Sequence, residues 1–158
     1  MPILKIITRP NPILRKKSVE INLAEIKSRG FKKLVSDMAK TMLKTDGVGL
    51  AAPQIGKSIR LAVINSKDGV FCLINPKFIK KSWARELGQE GCLSIPGVFG
   101  QVKRHKKISL TYYNQAGKKI KLAADGMMAR VIQHEIDHLD GILFIDKAVE
   151  VEKKEIYG

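Results

Sequence analysis

The chain is short of several residue types that would mark other kinds of protein. Its 158 residues include two cysteines, Cys72 and Cys92. That is too few for a disulfide framework, and each is expected to be a metal ligand or a buried thiol. No apolar run approaches the roughly 20 residues that cross a bilayer, so no membrane partner is expected. The opening Met1-Pro2-Ile3-Leu4-Lys5-Ile6-Ile7 lacks the basic start and small-residue cleavage site of a signal peptide. The expected compartment is the cytoplasm, or an organelle if a transit peptide has been removed. Aromatics make up 6% of the chain and do not cluster, which argues against a base-stacking nucleic-acid module. Acidic residues are scarce as well, 15 against 29 basic ones, for a net charge of +14. The lysines come as scattered doublets such as Lys16-Lys17 and Lys118-Lys119. That is the pattern of a solvated basic surface, without a specific nucleic-acid site.

The hydrophobic fraction of 44% and the length suit one globular domain over residues 1–158. Residues 1–22, with Pro10 and Pro12, read as an irregular arm. Apolar residues at Phe31, Leu34, Val35, Met38 and Met42 have helical spacing, with Lys32, Lys33, Asp37 and Lys40 opposite. Thr45-Asp46-Gly47 ends that amphipathic helix. Residues 59–64 and 70–74 read as a hairpin turning near Asp68-Gly69, and a further strand is expected from Lys77 to Trp83. A second hairpin joins 108–113 to 119–122 across Asn114–Gly117. A last helix runs from about Asp125, a good N-cap, to Leu139, with Gly141 placed to stop it. The order predicts an α+β domain: antiparallel sheets packed around a central metal-binding helix, with an N-terminal amphipathic helix.

That last helix carries His134-Glu135-Ile136-Asp137-His138. Positions i and i+4 lie on one helical face, so both imidazoles reach one metal ion, and Glu135 can act on a water bound to it. A catalytic site needs a third ligand and an open position. Cys72 sits in an apolar alternating strand and His105 among four cations, which leaves Cys92 as the best candidate. Gly91 before it, and Pro96-Gly97 after it, give its segment an unusual backbone path. Gly47-Val48-Gly49-Leu50-Ala51-Ala52-Pro53-Gln54 matches a dinucleotide-binding pattern only formally, because a helix precedes it and Pro53 interrupts the helix that should follow. Its glycines instead suggest a backbone passing close to another group. Gln54 offers an amide donor for a developing oxyanion.

Three segments in this order, Gly47–Gln54, Glu90–Ser94 and Gln133–His138 with Leu139 and Gly141, resemble the three signature motifs of the peptide deformylases. The resemblance covers most of the chain, from the Pro10 region to about Ile145. It implies removal of the N-formyl group from the initiator methionine of nascent chains, with release of formate. The implied ligands are Cys92, His134 and His138, holding one divalent ion. Ferrous iron is implied, and zinc, nickel or cobalt can substitute. Glu135 would take the proton of the metal-bound water and return it to the leaving amine. The Gln54 amide and the Leu93 backbone N–H would meet the oxyanion. Gly49, Val48, Met127 and Val131 are expected along the methionine pocket. Arg130 stands where relatives often have an apolar residue, and its alkyl stem is expected to close the pocket edge. Glu90 and Arg104 match a pair that supports the Cys92 loop, with a surface ion pair as the alternative.

The implied partners are N-formylmethionyl nascent peptides. Many bacterial members dock on the ribosome through a long C-terminal helix. Few residues follow Phe144 here, so a weak electrostatic contact is the expected substitute. Two other readings stay open at this point. A His-Glu-x-x-His protease would take its third ligand downstream, from an acid such as Asp146 or Glu150. A closed structural site in a basic RNA-binding module would use Cys72 as fourth ligand.

Overall fold

The computed structural model describes residues 3–154. Among these residues eight strands form two antiparallel sheets, accompanied by two α-helices. The first helix, α1 (Arg29–Lys44), opens on Ser28, whose hydroxyl accepts the Phe31 amide at 3.2 Å. It buries Phe31, Val35, Met38 and Met42, the face its periodicity predicts. It ends at Thr45, and Asp46 then takes a left-handed φ of 55°.

Strands β1 (Gly49–Ala51), β2 (Leu61–Ser66), β3 (Gly69–Lys81), β6 (Lys107–Tyr113) and β7 (Lys119–Asp125) form one sheet, in the order β1-β2-β3-β6-β7. Both expected hairpins are present, β2–β3 and β6–β7. The separate strands expected at 70–74 and 77–83 are one strand. Asn75, at φ 50°, and Pro76 make an irregularity in it instead of ending it. The Asn75 side chain clamps the arm, accepting from the Ile21 amide at 2.8 Å and donating to its carbonyl at 2.9 Å.

None of the strands of the second sheet was expected from the sequence. It comprises β4 (Arg85–Cys92), β5 (Ile95–His105) and β8 (Ala148–Lys153), in the order β4-β5-β8. Gly88, Gly91, Pro96, Gly97 and Gly100 weaken the strand signal here. Tertiary contact demands some of them. A β-carbon on Gly91 would stand 2.9 Å from the Phe99 ring, and one on Gly100 would stand 2.9 Å from Ala148.

The second helix, α2 (Gly126–Leu139), lies between the sheets. Ala129, Ile132 and Ile136 pack on Ile64, Leu73 and Leu110 of the larger sheet. A second cluster, with Leu14, Ile95, Val102 and Phe144, fills the side towards the smaller one. Asp125 precedes the helix as expected, although its side chain makes no cap bond. Gly141 follows at φ 76°, and a β-carbon there would also strike the Arg15 carbonyl at 2.5 Å. The Arg60 guanidinium donates to the Leu139 carbonyl at 3.1 Å and pairs with Asp140 at 3.0 Å, which secures the helix end. No helix among the described residues is long and apolar enough to cross a membrane.

Candidate metal centre

Helix α2 brings His134 and His138 to the same side, with ring centroids 5.0 Å apart. Cys92 arrives from the end of β4. Its sulfur lies 3.3 Å from Nε2 of His138, and ligand atoms of Cys92, His134 and His138 all fall within 4.8 Å of one another. Cys72 does not join them: it is buried in the core beneath α1, and burial pushes its thiol up to about 11. Asp146 is bonded to Arg15 and the Leu143 amide, and Glu150 is exposed on β8. His105 turns Nδ1 to the Ser82 carbonyl at 2.6 Å.

The chemistry of this donor set fits a divalent cation. Nδ1 of His134 is held by Oε1 of Glu90 at 2.9 Å, which turns Nε2 towards Cys92. Burial disfavours a charge on His134. The Cys92 hydrogen bond, Glu135 and Glu90 outweigh that and push its imidazole up to about 10, so the surroundings favour positive charge at this place. Burial and the neighbouring His134 hold His138 well below its ordinary value, keeping it a neutral donor. Nδ1 of His138 and Oε1 of Glu135 are buried without a partner among the described residues.

Glu90 organises the centre. It is 7% exposed and accepts from Arg104 twice, at 2.8 and 2.9 Å, from Arg130 at 2.7 Å and from His134. Burial works to raise its carboxyl, but the bonds from Arg104 and His134 prevail and hold it well below the usual carboxylate range. The Glu90–Arg104 pair is therefore buried, and the surface alternative is excluded. Arg104 also reaches Asp137 at 2.6 Å, tying β5 to α2.

Arg130 has a further task that was not expected. It does line the cavity, but its guanidinium turns into the smaller sheet, donating to Glu90, to the Val102 carbonyl at 2.9 Å and to the Glu86 carbonyl at 2.7 Å. Gly88 makes the room, since a β-carbon there would stand 2.7 Å from the Arg130 guanidinium carbon. The pattern around Arg130 gave no hint of this, because its partners lie 28 to 44 residues away.

Gln54 sits on a 3-10 turn after β1 (Ala52–Ile55), 2% exposed. Its Oε1 accepts the Ala51 amide at 3.0 Å, which leaves Nε2 directed to Ser94 Oγ at 3.1 Å and Cys92 Sγ at 3.5 Å. Ser94, fully buried, escaped the sequence reading; its position two residues after Cys92 was the available signal. Leu93 occupies the turn between β4 and β5. Glu135 is 3% exposed, and burial above all raises its carboxyl to about 7, the range of a group that both takes and returns a proton.

Gln54, Glu90, Cys92, Leu93, His134 and Glu135 line one cavity of about 520 Å³, with Val48, Gly49, Met127 and Val131 on its walls. Met127 and Val48 are 68% and 55% exposed, so they form the rim, while Val131 is buried. A mononuclear site of thiolate and imidazoles, a glutamate beside it and an amide donor facing it define a metal-dependent hydrolase. The family described as Polypeptide deformylase matches residues 3–154, and the chain belongs to it. A peptide deformylase of Syntrophomonas wolfei is 45% identical over 150 residues, covering 95% of this chain and 96% of its own. One from Halothermothrix orenii is 42% identical, covering 99% and 100%. The crystal structure of the Thermotoga maritima peptide deformylase superposes with a TM-score of 0.91 at 37% identity, covering 95% and 100%. An Acinetobacter baumannii relative solved with Met-Ala-Ser bound gives 0.89 at 33% identity, covering 92% and 98%.

Proposed function

We propose that residues 1–158 act as one catalytic domain that removes the N-formyl group from the initiator methionine of nascent polypeptides. The carrying observation is the cluster of Cys92, His134 and His138 beside a cavity that Cys92, His134, Glu135 and Gln54 line together with Val48, Met127 and Val131. Cys92, His134 and His138 would hold a divalent metal, which when bound would acidify a water and polarise the formyl carbonyl. Glu135 takes the water's proton and returns it to the departing amine. The Gln54 amide and the Leu93 N–H stabilise the oxyanion. Gly49 receives the peptide backbone, and Val48, Met127 and Val131 surround the methionine side chain. The Acinetobacter relative holding Met-Ala-Ser supports a methionine-headed substrate.

Ferrous iron is the proposed ion. One thiolate and two imidazoles suit borderline-soft metals generally, so anaerobic purification with metal analysis decides among iron, zinc, nickel and cobalt. The proposed location is the cytoplasm, with a weak, salt-sensitive attraction to the ribosome supplied by the net charge of +14.

The decisive assay follows formate release from formyl-Met-Ala-Ser. Glu135→Ala should lose about a hundredfold or more in kcat while retaining metal. Full activity in that variant would remove Glu135 from the mechanism. Cleavage of unformylated internal peptide bonds would favour a protease instead.

A further inference from the structure

At the corner where β3 passes to β4, Ser82-Trp83-Ala84 forms a bend pinned from several sides. The Ser82 amide donates to the Lys107 carbonyl at 2.8 Å, and the Lys106 amide donates to the Ala84 carbonyl at 3.0 Å. The Ser82 hydroxyl accepts the Lys107 amide at 3.1 Å and donates to the Ala84 carbonyl at 2.8 Å. This ordered bend holds Trp83, the only tryptophan of the chain, 97% exposed. A large apolar ring left in water gains nothing for the fold.

Cations flank the bend along the chain and on the strand paired with it. Lys81, Arg85, Lys103, Lys106 and Lys107 are all exposed, and none makes an ion pair among the described residues. Lys81, Arg85 and Lys103 rim a cavity of about 410 Å³, where Lys81 lies over the Phe78 ring at 4.4 Å. The carboxylate in that cavity, Asp137, is already neutralised by Arg104 at 2.6 Å and Lys147 at 3.0 Å. Glu86 and Asp125 are the other acids nearby, next to Arg85 and across from Lys107. Five cations against two free carboxylates leave a positive surplus around one exposed ring.

We propose that this corner is a docking surface for single-stranded RNA. Trp83 offers a face on which a base stacks, and the five cations receive backbone phosphates. One ring reads no sequence, so the contact is weak and sequence-blind. The cavity here shares no lining residue with the metal cavity, so RNA held at the corner leaves that cavity open. The two are nevertheless joined: Gln133 of α2 accepts from the His105 amide at 3.1 Å and donates to its carbonyl at 2.9 Å. The inference does not depend on the proposed catalytic function, and its test uses no catalytic readout.

Because Trp83 is the only tryptophan, its emission reports on this corner alone. Titrating a short oligouridylate into the full chain should quench that emission. The logarithm of affinity should fall with the logarithm of salt at a slope of about −0.7 per phosphate contact, or roughly −2 to −3 for three or four contacts. Trp83→Ala should weaken binding of a fluorescein-labelled oligouridylate about tenfold, with the salt slope unchanged. The triple variant Lys81→Glu/Arg85→Glu/Lys103→Glu should abolish binding. Lys118→Glu/Lys119→Glu/Lys121→Glu, an equal charge change on the β6–β7 hairpin, should leave it within about twofold. Equal losses in the two triple variants would overturn the proposal, as would unquenched emission. A blue shift with phosphatidylserine vesicles, and none with the oligonucleotide, would assign the corner to a lipid surface instead.

Discussion

Gly49 and Glu135 are fitted to each other: a β-carbon on Gly49 would stand 2.6 Å from Oε2 of Glu135 and 2.8 Å from its Cγ. Gly49→Ala must therefore displace the glutamate beside the metal centre. The three atoms nearest that β-carbon all belong to Glu135, and none to Cys92, His134 or His138. The expected outcome is a kcat reduced about a hundredfold with metal content unchanged, checked by formate release and elemental analysis of one sample. Wild-type kcat in Gly49→Ala would mean that Glu135 tolerates displacement.

Gln54 makes a different prediction, because its amide is already held when no substrate is present. Gln54→Ala should lower kcat about 100- to 1,000-fold while leaving KM for a formyl-Met peptide within a few-fold. A rise in KM alone would assign Gln54 to ground-state binding.

Arg130 tests the network behind the ligands. Arg130→Met keeps the alkyl stem along the cavity but removes the donors to Glu90, Val102 and Glu86. Stability should fall by about 2 kcal/mol, read by urea unfolding, and metal affinity should fall about tenfold as His134 loses part of its orientation. Gly88→Ala, which crowds the same guanidinium, should give the same pair of effects. Loss of stability with metal affinity intact would make Arg130 a packing residue only.

The two thiols should behave oppositely towards an alkylating reagent. Burial holds Cys72 protonated at pH 8, its thiol being raised to about 11, and it is 4% exposed. Iodoacetamide should then label Cys92 alone in the folded, metal-stripped protein, and metal should suppress that labelling. Mass spectrometry of digested peptides reads this directly. Labelling of Cys72 at a comparable rate would contradict its burial beneath α1.

Arg15 and Asp146 should give a modest acid dependence. The Arg15 hydrogen bond lowers the Asp146 carboxyl, with burial opposing. A group depressed in the folded state stabilises it above the unfolded value of about 3.9, and that contribution disappears as pH falls through the folded value. Both side chains are substantially exposed, at 47% and 37%, so solvent limits the effect. Asp146→Asn should lower the urea midpoint at pH 7 and lower it less at pH 3. Equal losses at both pH values would point to lost hydrogen bonding instead of lost charge.

The helices and hairpins were legible because their signals are local. Helical spacing from Phe31 to Met42, the turn at Asp68-Gly69 and the cap glycine Gly141 each lie within a few residues. The approach of His134 to His138 was legible for a related reason, since a helix translates four-residue spacing directly into proximity. The β4–β5 hairpin was not, because Gly91 and Gly100 answer to Phe99 and Ala148 and to no local preference. Strand β8 was missed as well: it is exposed along its length, and pairing with β5 creates it. Arg130 was expected at the cavity through its alkyl stem, while the bonds of its guanidinium were not legible. Nothing local to an arginine on a helix says that its partners are a glutamate and two carbonyls of a distant sheet.

Strands β1 and β4 each stand at the free border of their sheet, and both border the metal cavity. Facing borders present main-chain amides and carbonyls, which every polypeptide can match in kind. A guest threaded between them is judged by its first side chain, in the walled cavity, and scarcely by the ones that follow. Such a protein would serve a whole proteome with one groove, and its substrate list would be written by the ribosome's start codon.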